Sequence, residues 1–224
     1  MLAEIIIYGI LLVLLLAVCD NKYSRRCYVP LKAVCSASFL VILIINQYFS
    51  EDMQRMLIAL IACFVGDVLM AYYNVRKDKH YMTLGIFVFI VGHVFLLIYM
   101  CEDYVPTHSL VFVLPLLICG LMYVMYKRIH LHMGRLFYPS FVYCYFVSAM
   151  MLKALEVGAY AYAQGNAHPA PYMIIVAGIL FFLSDFSILF LYFYHFHKRW
   201  EKRVVHYFNL ITYYVAILLF VYSV

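Results

Sequence analysis

The apolar residues of this chain fall into eight runs, near 2–19, 30–49, 54–75, 82–100, 109–126, 137–157, 171–193 and 204–223, broken by short polar connections. Each run is close to the roughly twenty residues that an α-helix needs to cross about 30 Å of hydrocarbon. The pattern predicts an all-α, polytopic membrane protein with eight transmembrane helices. No Gly/Ser linker, low-complexity tract or soluble insert separates the runs, so residues 1–224 read as a single transmembrane domain. The first run has no basic leader and no small-residue cleavage site, and Lys22, Arg25 and Arg26 follow it directly. It therefore reads as a helix kept in the mature protein, not as a signal peptide.

Composition points the same way, with 68% hydrophobic residues, 12% charged residues and a mean hydropathy of +0.94. A soluble domain of this length has no use for so much apolar surface. The net charge of +5 sits in the short connections between apolar runs, where it writes topology, so no nucleic-acid partner is read from it. Connections after helices one, three, five and seven carry Lys22, Arg25 and Arg26; Arg76, Lys77 and Lys79; Lys127, Arg128 and Arg135; and Lys198, Arg199, Lys202 and Arg203. The others carry only Arg55, beside Glu51 and Asp52, together with Glu102 and Asp103. By the positive-inside rule the odd connections are expected in the cytoplasm and both termini on the non-cytoplasmic side. Seven cysteines are scattered singly at 19, 27, 35, 63, 101, 119 and 144 with no CxxC pair, and read as small hydrophobes. The 23 tyrosines and 18 phenylalanines read as lipid-facing, interfacial or core residues.

Two positions break the apolar pattern. Asp67, in FVGDVLMAYY, and Asp185, in FFLSDFSILF, stand deep inside their runs. A carboxylate at bilayer depth is costly, so an intramembrane acid is by default a functional candidate. At about 1.5 Å of rise per residue, Asp67 counts out about 13 Å above the basic end of its helix and Asp185 about 20 Å above Lys198. By the same count Tyr143 on helix six and Tyr213 on helix eight lie about 12 to 15 Å above that face. Four polar side chains are thus expected near one depth. The two acids occupy the third helix of each half if helices one to four and five to eight form a parallel 4+4 repeat, for which the local echo between the two motifs is the only sign.

His93 is the one histidine well inside a helix, about 8 Å farther from the cytoplasm than Asp67. Alone on an apolar helix, histidine is more often a hydrogen-bonded packing residue than a ligand. Catalytic zinc normally takes three protein ligands and an open position, so one His and two Asp at depth disfavour it, and no metal is expected. Lys153 and Glu156, three residues apart near the outer end of helix six, are expected to pair and to snorkel. Lys32, just inside helix two on the cytoplasmic side, reads the same way or as a contact to a lipid phosphate.

The motifs resemble the lysoplasmalogenases, also called the YhhN family. The likeness runs in order through GDVLM at 66 to 70, GIFVFIVGH at 85 to 93, Tyr143 with Met150 and Ala154, GILFFLSD at 178 to 185 and TYY at 212 to 214. The first two helices add the helix count and a loose PLK at 30 to 32. The chain departs from the family where a small or polar residue, a tyrosine and a glutamine are frequent, and holds Phe186, Leu96 and Ile217 there. The resemblance implies hydrolysis of the vinyl ether bond of a lysophospholipid, releasing a fatty aldehyde and a glycerophospho-ethanolamine or -choline. It implies no cofactor, and its partners are that lysolipid and the surrounding membrane lipids.

Such a reaction calls for a carboxylic acid that protonates carbon and an ionised partner that takes a proton from water. Two carboxyls in one low-dielectric pocket supply both states. Asp67 and Asp185 are the expected pair, with His93, Tyr143, Ser184 and Tyr213 orienting the acids or the water. Three other readings stay open: a proton-coupled or lipid transporter, a zinc-dependent amidase of the ceramidase type, and a lipid-packed bundle whose acids hydrogen-bond across helices.

Overall fold

A computed structural model describes residues 2–19, 25–46, 51–104 and 107–224. Among the described residues the fold is all-helical, with no strand. The helices are α1 (Leu2–Cys19), α2 (Arg25–Asn46), α3 (Glu51–Arg76), α4 (Lys79–Asp103), α5 (Leu110–Ile129), α6 (Phe137–Ala163), α7 (Ala170–Phe193) and α8 (Arg199–Tyr222). A 3-10 turn, Gly134–Leu136, leads into α6. All eight helices are long and apolar enough to cross a membrane.

Several helices outrun the apolar runs that predict them. α2 starts at Arg25, so that Pro30 lies inside it, and α6 continues to Ala163. α8 starts at Arg199, where the Glu201 carboxylate accepts the Lys198 backbone N–H at 3.3 Å. The physical reason is that hydropathy marks the hydrocarbon slab, while a helix continues into the headgroup layer as long as its backbone bonds close. Pro30 costs one backbone hydrogen bond close to the helix start, which the apolar stretch after it outweighs.

The chain divides into two compact units, residues 1–95 with Val224, and residues 96–223, the boundary falling inside α4. In the first unit α2 packs against α1 and α3. Phe39, Leu43, Met56, Leu60 and Cys63 are fully buried there. α3 and α4 approach through glycines. A Cβ on Gly66 would stand 2.8 Å from the ring of Phe89, and one on Gly92 would stand 3.3 Å from the carbonyl oxygen of Ala59. Small residues at such crossings let helix backbones close up where no hydrophobic drive exists between helices in lipid. Each glycine immediately precedes a buried polar residue, Asp67 or His93, so the close crossing also fixes the level of that side chain.

In the second unit α7 is the central helix, flanked by α6 and α8. Gly178 lets it meet Ala154, whose Cβ would stand 2.5 Å from an added Cβ, and Gly158 receives Ile175. Ile174, Phe181, Tyr214, Ile217 and Phe220 fill the core. Lys153 and Glu156 do pair, at 2.6 Å, and the second Glu156 oxygen accepts the His108 backbone N–H at 2.8 Å. Lys153 does not snorkel, however, because it is fully buried in the bundle. The segment between α5 and α6 is tied to the end of α7 by a bond from the His132 N–H to the Phe193 carbonyl at 2.9 Å. Few residues of α1 or α5 are buried, Tyr8 and Leu15 on one and Val111, Pro115 and Met122 on the other, so most of their apolar surface faces outward.

Candidate active site

Each unit contains one deeply buried aspartate, and the two are held by different means. Asp67 is 2% exposed and sits nine residues before Arg76, the end of α3. Lys32 Nζ lies 3.0 Å from its Oδ1, and the Ser36 hydroxyl donates to its Oδ2 at 2.7 Å. Lys32 and Ser36 are four residues apart on α2, hence on one face of that helix. A lone lysine in hydrocarbon reaches for the headgroups, but an opposite charge at the same level offers a nearer place for the ammonium. Lys32, expected to snorkel or to meet a lipid phosphate, is 7% exposed and pairs with Asp67. Tyr8 is buried on α1. His93 is fully buried on α4.

Asp185, 7% exposed, lies eight residues before Phe193, where α7 ends. Residues 194–198 are not helical, so a count along continuous helix to Lys198 overstates its depth. Along its own helix Asp185 is about 12 Å from the end, against about 13 Å for Asp67 on α3. The residue before it, Ser184, is clasped by α8. The Asn209 amide nitrogen donates to the Ser184 carbonyl at 2.9 Å and to its hydroxyl oxygen at 2.8 Å, and that hydroxyl donates to the Asn209 carbonyl at 3.1 Å. Ser187 adds a bond to the Ser184 carbonyl at 2.6 Å, and Thr212 one to the Asn209 carbonyl at 3.2 Å.

The Ser184 hydroxyl is thus engaged with α8. Tyr213 is buried, with its ring edge-on to Phe181 at 5.3 Å and to Tyr214 at 5.1 Å. Tyr143 is half-buried on α6. Among the described residues, two buried side-chain atoms, His93 Nδ1 and Asp185 Oδ2, receive no hydrogen bond, although both residues take part in other interactions.

Ser36 and Asn209 were not foreseen from the sequence. Both carried a signal: Ser36 follows Lys32 by one helical turn, and Asn209 is an amide inside an apolar run. The first unit thus presents an aspartate contacted at both oxygens, and the second an aspartate whose helix is fixed beside it. Among the described residues there is no group of three or more His, Cys, Asp or Glu side chains that would hold a metal ion.

Comparison with curated proteins finds no match, and comparison with solved structures finds none either. The family model described as the YhhN family matches residues 27–224, a span that takes in Lys32, Ser36, both aspartates and Asn209, and the chain belongs to that family.

Proposed function

We propose that this protein is a hydrolase of lysolipids that cleaves the vinyl ether bond of lysoplasmalogens, giving a fatty aldehyde and a glycerophospho-ethanolamine or -choline. The observation that carries the reading is the burial of one aspartate in the middle of an apolar helix of each unit, Asp67 and Asp185, in a chain of the YhhN family. Acids at that depth are expensive, and proton chemistry on a lipid substrate gives them a use.

The reaction consumes one water. A carboxylic acid delivers a proton to the β-carbon of the vinyl ether, leaving an oxocarbenium ion. Water adds to the α-carbon as a carboxylate takes its proton. The resulting hemiacetal collapses to the aldehyde and the free glycerol hydroxyl. One acid and one base suffice, each contributing on the scale of about a hundredfold to ten-thousandfold.

The test is to incubate the purified protein in detergent or nanodiscs with a lysoplasmalogen and with its ester analogue, following aldehyde release. Turnover of the vinyl ether and not the ester, abolished in Asp67→Asn and Asp185→Asn, supports the reading. Ester cleavage, or aldehyde release that survives both substitutions, overturns it.

A further inference from the structure

We propose that Arg76, held against Tyr72 and Tyr81 where α3 turns into α4, binds the phosphate of an anionic phospholipid whose acyl chain lies along the outward face of α4. The site lies wholly within the first unit and is independent of the reaction proposed above. A tight turn builds it. Lys77 and Asp78 alone separate the two helices, Lys77 in the left-handed conformation (φ 59°) with its N–H on the Tyr73 carbonyl at 2.8 Å. Tyr81, near the start of α4, thereby stacks on Tyr72, near the end of α3, with ring centroids 5.6 Å apart. The Arg76 guanidinium lies 5.4 Å and 5.8 Å from the two centroids, and its Nη1 donates to the Tyr81 hydroxyl at 3.0 Å.

A guanidinium held in this way is already oriented, and only part of its planar fork of donors is spent. Arg76 is exposed, and among the described residues no carboxylate forms an ion pair with it. Asp78, the acid of the turn, accepts the His80 backbone N–H at 3.0 Å, while Lys77 and Lys79 leave the turn with a net positive charge. Such a fork calls for an anion, and a phosphate matches its shape. The surface beside it is apolar. Leu84, Phe87 and Val91 are 54%, 52% and 46% exposed, and their spacing from Tyr81 puts them in one stripe along α4. A soluble phosphate gains nothing from that stripe, whereas an acyl chain running from a headgroup on Arg76 covers it. Tyrosine at headgroup level and a basic side chain beside it are the usual means of holding an anionic lipid at a membrane surface.

The test uses the full-length protein in phosphatidylcholine nanodiscs that carry a trace of lipid with a diazirine on its acyl chain, either phosphatidylglycerol or phosphatidylcholine. After irradiation, peptide mapping is expected to find residues 84–91 labelled several-fold more by the phosphatidylglycerol probe, relative to labelling of the rest of the chain. Arg76→Gln is expected to lower that yield about fivefold, the scale of one basic side chain at a membrane surface. Arg76→Lys, which keeps the charge and loses the fork, should fall between the two. Arg128→Gln, at the end of α5, should leave labelling of this stripe unchanged. Excess glycerol 3-phosphate should not compete. Equal labelling by the two probes in the wild type, which needs no variant to fold, overturns the proposal, as does full labelling in Arg76→Gln. Displacement by glycerol 3-phosphate overturns it in favour of a site for free phosphate.

Discussion

The amide nitrogen of Asn209 on α8 donates to both the carbonyl and the hydroxyl of Ser184 on α7, at 2.9 and 2.8 Å, and so grips the residue immediately before Asp185. Interhelical hydrogen bonds of this kind contribute about 0.6 kcal/mol on average in membranes, and up to about 1.7 kcal/mol. Asn209→Ala and Ser184→Ala should each lower thermal stability in detergent by an amount in that range. The double mutant should lose less than the sum of the two, because the bond between the Asn209 amide and the Ser184 hydroxyl is lost in all three, while each single variant keeps one bond to a backbone carbonyl. Additive losses in the melting curves would show that the two residues work separately.

Asp67→Asn and Asp185→Asn should each reduce vinyl ether turnover at least about a hundredfold, and combining them should add little, as for groups acting as a unit. Their effects on folding should differ. Removing the Asp67 charge strands the buried Lys32 ammonium and should destabilise by about 3–5 kcal/mol, whereas Asp185→Asn should be well tolerated. Lys32→Met added to Asp67→Asn should return most of the stability and none of the activity. Thermal melts of the four variants decide this; equal stability of the two Asn variants would contradict the role given to the ion pair.

Gly66→Ala places a methyl group 2.8 Å from the Phe89 ring, so the ring or the helix that carries it has to shift. Overpacking of this kind costs about 1–3 kcal/mol. Phe89→Leu in the same chain should relieve it. Gly120→Ala, where an added Cβ meets nothing within 4 Å, is the control and should be neutral or mildly stabilising. Melting temperatures of the three variants test the close α3–α4 crossing.

The alternation of charge along the chain leads to a topology that labelling can check. Single cysteines placed within 20–28, 74–80, 127–135 and 196–203 of a cysteine-free background should react only from the cytoplasmic side, and tags at either terminus only from the other. Positions 164–169, the turn between α6 and α7, should label with the termini. Reaction of that turn from the cytoplasm would reverse the arrangement.

The eight helices and the two acids were legible because both depend on one-dimensional patterns: length of apolar run, and a charge inside it. Helix ends were less so, since α2, α6 and α8 extend through charged or small residues that hydropathy excludes. The partner of Asp67 was hidden for a different reason. Lys32 lies only seven residues into α2, where the rule for an isolated basic side chain sends it to the headgroups. That rule fails when a counter-charge stands at the same level on a neighbouring helix, which a single sequence shows only if charges are paired across helices before they are assigned singly. Ser36 and Asn209 escaped because a search for sites by charge passes over neutral polar residues, although it is these that fix Asp67 and the Asp185 helix in place.

The Lys32–Asp67 pair joins α2 to α3, helices that are consecutive in the chain. During synthesis these two segments emerge one after the other, and each alone would carry into hydrocarbon a charge costing about 2.5–3.5 kcal/mol on insertion scales. Paired, they present the bilayer with charges that cancel. The charge carried into the apolar layer by α3 is thus met by the helix that comes just before it in the chain, inside the first unit.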